Sequence, residues 1–117
     1  MIHIITSSRY RINRKRIIAN GGELLKKLGV ADDMHLNCIF VGKTKMRSIA
    51  SRYKKEKVAL PVLSFSYKDE PVRGDRLLGE IFLCYPQVVL LAAERNKKVE
   101  DMIDAMIRHG VENLLKD

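Results

Sequence analysis

Residues 35–41, HLNCIFV, place Leu36, Cys38 and Phe40 on one side of an extended chain, with His35, Asn37 and Ile39 on the other. A period of two marks a strand with one face to bury. That strand is flanked on both sides by segments with the longer period of a helix. Ile17, Ile18, Gly21, Leu24, Leu25 and Leu28 form one stripe over residues 14–28, with Asn13 to cap the helix and Gly29 to end it. Met46, Ile49, Ala50 and Tyr53 form a second inward stripe over 45–56, with Thr44 as its cap. MIHIIT at 1–6, VLSFS at 62–66 and LGEIFLC at 78–84 read as further strands. Pro86 opens a helix over 87–96, and a last helix spans 98–115. The order β-α-β-α-β-β-α-α predicts an α+β fold (an α/β sandwich), a small mixed sheet of about four strands packed with four helices.

A chain of 117 residues with 46% hydrophobic residues is read as one domain, residues 1–117, with enough apolar side chains for a core of its own. No run of about 18 apolar residues is present, so a membrane span is not expected. The first residues carry apolar side chains before basic ones, the reverse of a secretory signal. Cys38 and Cys84 each lie inside an apolar, strand-like run and are expected to be buried thiols of a cytoplasmic protein.

Charge narrows the choice of partner. Lys and Arg number 22 against 14 Asp and Glu, a formal net charge of +8. A small domain this basic attracts polyanions, and phosphate is their commonest charged group. Lys45, Arg47, Arg52, Lys54 and Lys55 crowd the second helix, and Arg73 and Arg76 lie in the loop SYKDEPVRGDR. Arg14, Lys15 and Arg16 occupy the first turn of the first helix, where the helix dipole disfavours cations. Those side chains are expected to splay into water, or to hold an anion.

The last helix carries one suggestive pair. Val99, Met102, Ile103, Met106, Ile107, Gly110, Val111 and Leu114 fill one arc at about 100° per residue. His109 lies at the edge of that arc with Asn113 four positions on, the spacing of an i, i+4 ligand pair. A neutral amide is a poor partner for imidazole on a zinc-like metal, and a lone histidine at a helix edge is more often structural or solvated. His3 and His35 lie on strands with no spacing that implies a shared site. No Gly-x-Ser-x-Gly, phosphate-binding loop or paired-cysteine motif is present.

The stretches VLSFSYKDEP at 62–71 and LLGEIFLC at 77–84 closely match the Asp-Val-Leu-Ser-Phe and Leu-Gly-Asp-Ile signatures of one family. In these blocks, and in the order of its elements over nearly the whole chain, the sequence resembles the YbeY family of rRNA maturation proteins. The resemblance implies a single-domain, metal-dependent endoribonuclease acting on rRNA at the small ribosomal subunit. The family's metal motif, His-Gly-x-Leu-His-Leu-x-Gly-Tyr-Asp-His, carries three histidines usually taken to bind zinc. HGVENLLKD keeps His109, Gly110 and Leu114, has Asn113 at the second histidine and Lys116 at a glycine, and stops before the third histidine. In the block ahead of VLSF, Tyr53 matches, whereas Ala50, Lys54 and Pro61 replace the family's asparagine, arginine and aspartate.

Two functions follow from the resemblance. One is cleavage, with Lys54 contacting phosphate and His109 as the remaining metal ligand or acid–base group. The other is a catalytically weak or inactive relative that docks RNA or the ribosome through Lys45, Arg47, Arg52, Lys54, Lys55, Arg73 and Arg76. Lysine at position 54 keeps the charge of the family's arginine but loses its planar fork for phosphate. One imidazole and an amide do not close a zinc site, so zinc is expected to be absent or weakly bound.

Overall fold

In the computed structural model, residues 1–53, 61–67 and 76–116 are described. The elements are β1 (Ile2–Ile5), α1 (Arg14–Lys27), β2 (His35–Val41), α2 (Lys43–Tyr53), β3 (Val62–Ser66), β4 (Leu77–Cys84), α3 (Tyr85–Glu94) and α4 (Val99–Leu115). The order is the expected one. The strands form one mixed sheet in the spatial order β1-β2-β4-β3, with β1, β2 and β4 parallel and β3 antiparallel to β4.

Alternation along β2 and β4 sorts the helices onto two faces. Leu36, Cys38, Phe40, Ile81 and Leu83 point to one face, into the main core with α1, α3 and α4. Val41, Leu63, Phe65 and Phe82 point to the other, where Met46, Ile49 and Ala50 of α2 meet them. A bulge in β4 sets the end of this alternation: Leu77 pairs with His35 but Gly79 with Leu36, leaving Leu78 as an extra residue. Helix α4 lies close on the sheet there, with Gly110 against Ile81 and Leu114 against Gly79. Burial pushes the Cys38 thiol up to about 12, and it raises that of Cys84 as well, so both sit in the core as unreactive thiols.

Local chemistry explains most of the boundaries. The Asn13 side chain accepts from the Arg16 N–H at 3.1 Å and caps α1. At the other end Gly29 adopts φ 77°, and the Val30 and Gly29 N–H groups bond Leu25 O and Lys26 O, the two-bond Schellman closure. Asn96, with φ 53°, closes α3 in the same way onto Ala92 and Ala93. Thr44 is not a cap: α2 starts one residue earlier, and Met46 N–H already bonds Gly42 O at 3.0 Å. Residues 54–56, assigned to this helix from sequence, lie outside the described residues. Ile18, Leu28 and Tyr53, read as inward, are exposed, because each helix buries a narrower stripe than its apolar positions span.

The first turn of α1 corrects a second expectation. Arg16 neither splays into water nor waits for an anion. Its Nε donates to Asp104 Oδ2 at 2.9 Å, Nη1 to Glu100 Oε2 at 3.1 Å and Nη2 to Asp101 Oδ1 at 2.5 Å. Asn20 adds a bond to the same Asp104 oxygen at 2.9 Å. Hydrogen bonds to Asp101 and then Asp104 hold the guanidinium well above its ordinary pKa. Glu100 and Asp101 also occupy the first turn of α4, where the helix dipole favours them. The cluster thus fixes α1 to α4 across the main core. Arg16→Gln is expected to lower the melting temperature by a few degrees at low ionic strength and by less in high salt. Equal melting of both proteins at low salt would show that the cluster contributes nothing.

Candidate nucleic-acid interface

Helix α2 presents Lys43, Lys45, Arg47 and Arg52 to solvent, all exposed. Lys45 and Arg52 stand seven residues apart and so share one side of the helix. That side borders a groove of about 270 Å³ between α2 and the face of the sheet it packs on, with Ile49 and Phe82 among its lining residues. Tyr53 and Phe65 line it edge to face, ring centroids 5.2 Å apart at 71°. Phe65 in turn meets Phe82 at 5.7 Å and 84°, and the Arg52 guanidinium stands 6.0 Å from the centre of the Tyr53 ring. Glu80 joins this aromatic lining with its carboxylate held from both sides. Tyr67 Oη donates to Oε1 at 3.2 Å and Asn37 Nδ2 to Oε2 at 3.3 Å.

A second hollow, about 620 Å³, opens at the carboxyl ends of β1 and β2 and includes Arg9, Tyr10, Lys43 and Lys45. Here the chain leaves β1 for a helix on one face and β2 for a helix on the other, the switch point at which open α/β sheets bind ligands. Lys45 lines both hollows. Together they make one basic path along α2.

The remaining candidate residues are distributed more widely. Arg76 lies at the start of β4, paired with Asp33 at 3.2 Å and with its Nε on Met34 Sδ at 3.4 Å. Lys54, Lys55 and Arg73 lie outside the described residues. His109 is exposed on α4, on the face of the sheet opposite α2, so the sheet separates it from Lys45, Arg47 and Arg52. Its Nε2 lies 3.3 Å from Asn113 Nδ2.

A zinc ion does not fit the donors found at His109. The group facing its imidazole is the neutral Asn113 amide, a poor ligand for zinc beside a single imidazole. Among the described residues no three His, Cys, Asp or Glu side chains are grouped to hold a metal. His3 and His35, read from sequence as unrelated, do meet: Nε2 of one and Nδ1 of the other lie 2.9 Å apart in a hydrogen bond, with rings stacked at 5.1 Å. The parallel register that pairs His3 with Asn37 brings His35 alongside, and register is not written in either strand alone. Among the described residues no third ligand joins these two imidazoles, and a catalytic zinc takes three.

Sequence reasoning missed the aromatic groove and the part of Glu80 in it. The signal was present in VLSFSY and LGEIF, where alternation puts Phe65, Tyr67, Glu80 and Phe82 on the face away from the main core. Among the described residues no helix is long and apolar enough to cross a membrane.

The family model described as Endoribonuclease YbeY matches residues 5–115. The Endoribonuclease YbeY of Thermodesulfovibrio yellowstonii is 32% identical over 80 residues, covering 68% of this chain and 50% of that protein. Its counterpart in Azoarcus is 33% identical over 86 residues, covering 70% of this chain and 34% of its own. The chain therefore spans about half, or less, of the length of these relatives. The solution structure of TM1509 from Thermotoga maritima covers 100% of this chain and 73% of its own, with a TM-score of 0.65 at 24% identity, a likeness of fold. With the expected fold in place and a family match over almost its whole length, the chain belongs to the YbeY family.

Proposed function

We propose that this chain acts in rRNA maturation as an RNA-binding member of its family, docking single-stranded rRNA of the small ribosomal subunit in the cytoplasm. The single observation that carries this reading is the α2 path, where exposed Lys43, Lys45 and Arg52 border hollows lined by aromatic side chains. Cations that track a backbone beside rings that stack on bases are the usual means of holding a single strand. Lys54, Lys55 and Arg73 lie outside the described residues and Arg76 is paired with Asp33 at the start of β4, so the proposal rests on α2 alone. The relatives are named endoribonucleases, and metal-dependent cleavage of rRNA is the second reading. The groups at His109 favour binding over cleavage, since one imidazole beside a neutral amide does not make up the three-ligand set of a catalytic zinc.

Two substitutions separate the readings. Lys54→Ala is expected to remove one phosphate contact and weaken binding to many RNA sequences alike. His109→Ala is expected to change affinity less, because one imidazole hydrogen bond contributes roughly 0.5–1.5 kcal/mol. The measurements are RNA binding by fluorescence anisotropy and cleavage of a labelled strand, on extensively purified protein. Equal background cleavage by wild type and both variants is the expected result. Cleavage lost in His109→Ala with affinity kept would instead establish the catalytic reading, since that group would then act mainly in the transition state.

A further inference from the structure

The groove beside α2 is shaped for more than a phosphate backbone. We propose that it is a pocket for one unstacked nucleobase of a single-stranded RNA, and that Glu80 makes it prefer guanine. The inference rests on the RNA-binding reading above and adds to it a named subsite with a base preference.

Size, walls and rim each point to this ligand. At about 270 Å³ the groove falls just below the roughly 300–1,000 Å³ of sites for larger small molecules, which suits one base. Tyr53 is 59% exposed although it packs edge to face on Phe65, so an aromatic surface stays open at the rim. The Arg52 guanidinium beside its ring steadies it there. RNA-binding modules seat unpaired bases on such rings and then read their edges by hydrogen bonds. Lys45 and Arg52 lie about 10 Å apart along the helix axis, one to each side of Ile49, placed for the phosphates that flank a seated base.

Glu80 supplies the edge contact. It lines the groove, and each of its oxygens already accepts one long hydrogen bond, from Tyr67 at 3.2 Å and from Asn37 at 3.3 Å. Those two donors hold the carboxylate in one orientation, and each oxygen keeps a further lone pair. Guanine offers two parallel donors, N1–H and the N2 amino group, which match the two oxygens of a carboxylate. Adenine and cytosine offer one amino group on that edge and uracil one N–H, so each leaves an oxygen unmatched. An acidic group in a basic protein is otherwise a poor neighbour for RNA, and a base donor pair offsets its charge.

The test uses the full chain and fluorescein-labelled hexamers of uridine carrying one central G, A, C or U, read by anisotropy at low salt. The expected result is roughly tenfold tighter binding of the G hexamer than of the others. Tyr53→Ala should weaken the G hexamer about tenfold, and Tyr53→Phe should restore it. Glu80→Gln should bring the G hexamer down to the affinity of the A and C hexamers, with circular dichroism confirming the fold. Binding of all four hexamers alike, unchanged by Tyr53→Ala, would overturn the pocket, give the groove to another occupant and leave the RNA reading standing. No binding of any hexamer by wild type would overturn both.

Discussion

Reversing Lys45, Arg47 and Arg52 together to glutamate is expected to weaken binding of single-stranded RNA on the order of a hundredfold at physiological salt. The three side chains are exposed on α2, while Met46, Ile49 and Ala50 hold that helix to the sheet from its other side. The substitutions therefore leave the packing alone and act through the field. Each lost cation removes a phosphate contact and its released counterion, and each new carboxylate repels the backbone. Anisotropy with a labelled oligonucleotide measures the effect, with unchanged circular dichroism and melting as the control. A loss below threefold would place the RNA elsewhere on the surface.

Gly79→Val is expected to cost about 3 kcal/mol of stability, roughly 10 °C in melting temperature. The reason is close approach from two directions. A Cβ at position 79 would stand 2.5 Å from the Phe65 carbonyl oxygen of the neighbouring strand and 2.7 Å from Leu114 Cδ2 of α4. The carbonyl belongs to the β3–β4 ladder and cannot step aside without breaking it. Relief would require α4 to lift, and α4 closes the main core through Met102, Ile107, Val111 and Leu114. Gly22→Ala is the control, since nothing lies within 4 Å of a Cβ there and alanine favours a helix interior. Thermal unfolding followed at 222 nm compares the two; a Gly79→Val protein that melts with wild type would contradict the packing described.

The sequence announced its elements because each carried its own period and its own punctuation. Asn13, Gly29 and Pro86 mark ends by chemistry local to a few residues, and the structure uses all three at those ends. What depended on register or on packing partners was less legible. His3 and His35 meet only because β1 and β2 pair in parallel at one register. Arg16 looked misplaced at a helix N-terminus until α4 brought Glu100, Asp101 and Asp104 across from more than eighty residues away. Tyr53 fitted an inward helical stripe, yet α2 buries too narrow a face to cover it, and the ring became part of the groove instead. The basic residues were legible as a class from composition, but their division between a path on α2, an ion pair at Arg76 and segments outside the described residues was not.

The salt dependence of RNA affinity tests the central claim most directly. Wild-type protein and a labelled single-stranded RNA are titrated between 50 and 200 mM monovalent salt. Three or four phosphate contacts along α2 predict a linear fall of log K against log salt, roughly twentyfold or more over that range, with a shallower slope in the α2 charge-reversal protein. An affinity that stays flat over the range, or a slope untouched by the reversal, would contradict RNA binding through this helix.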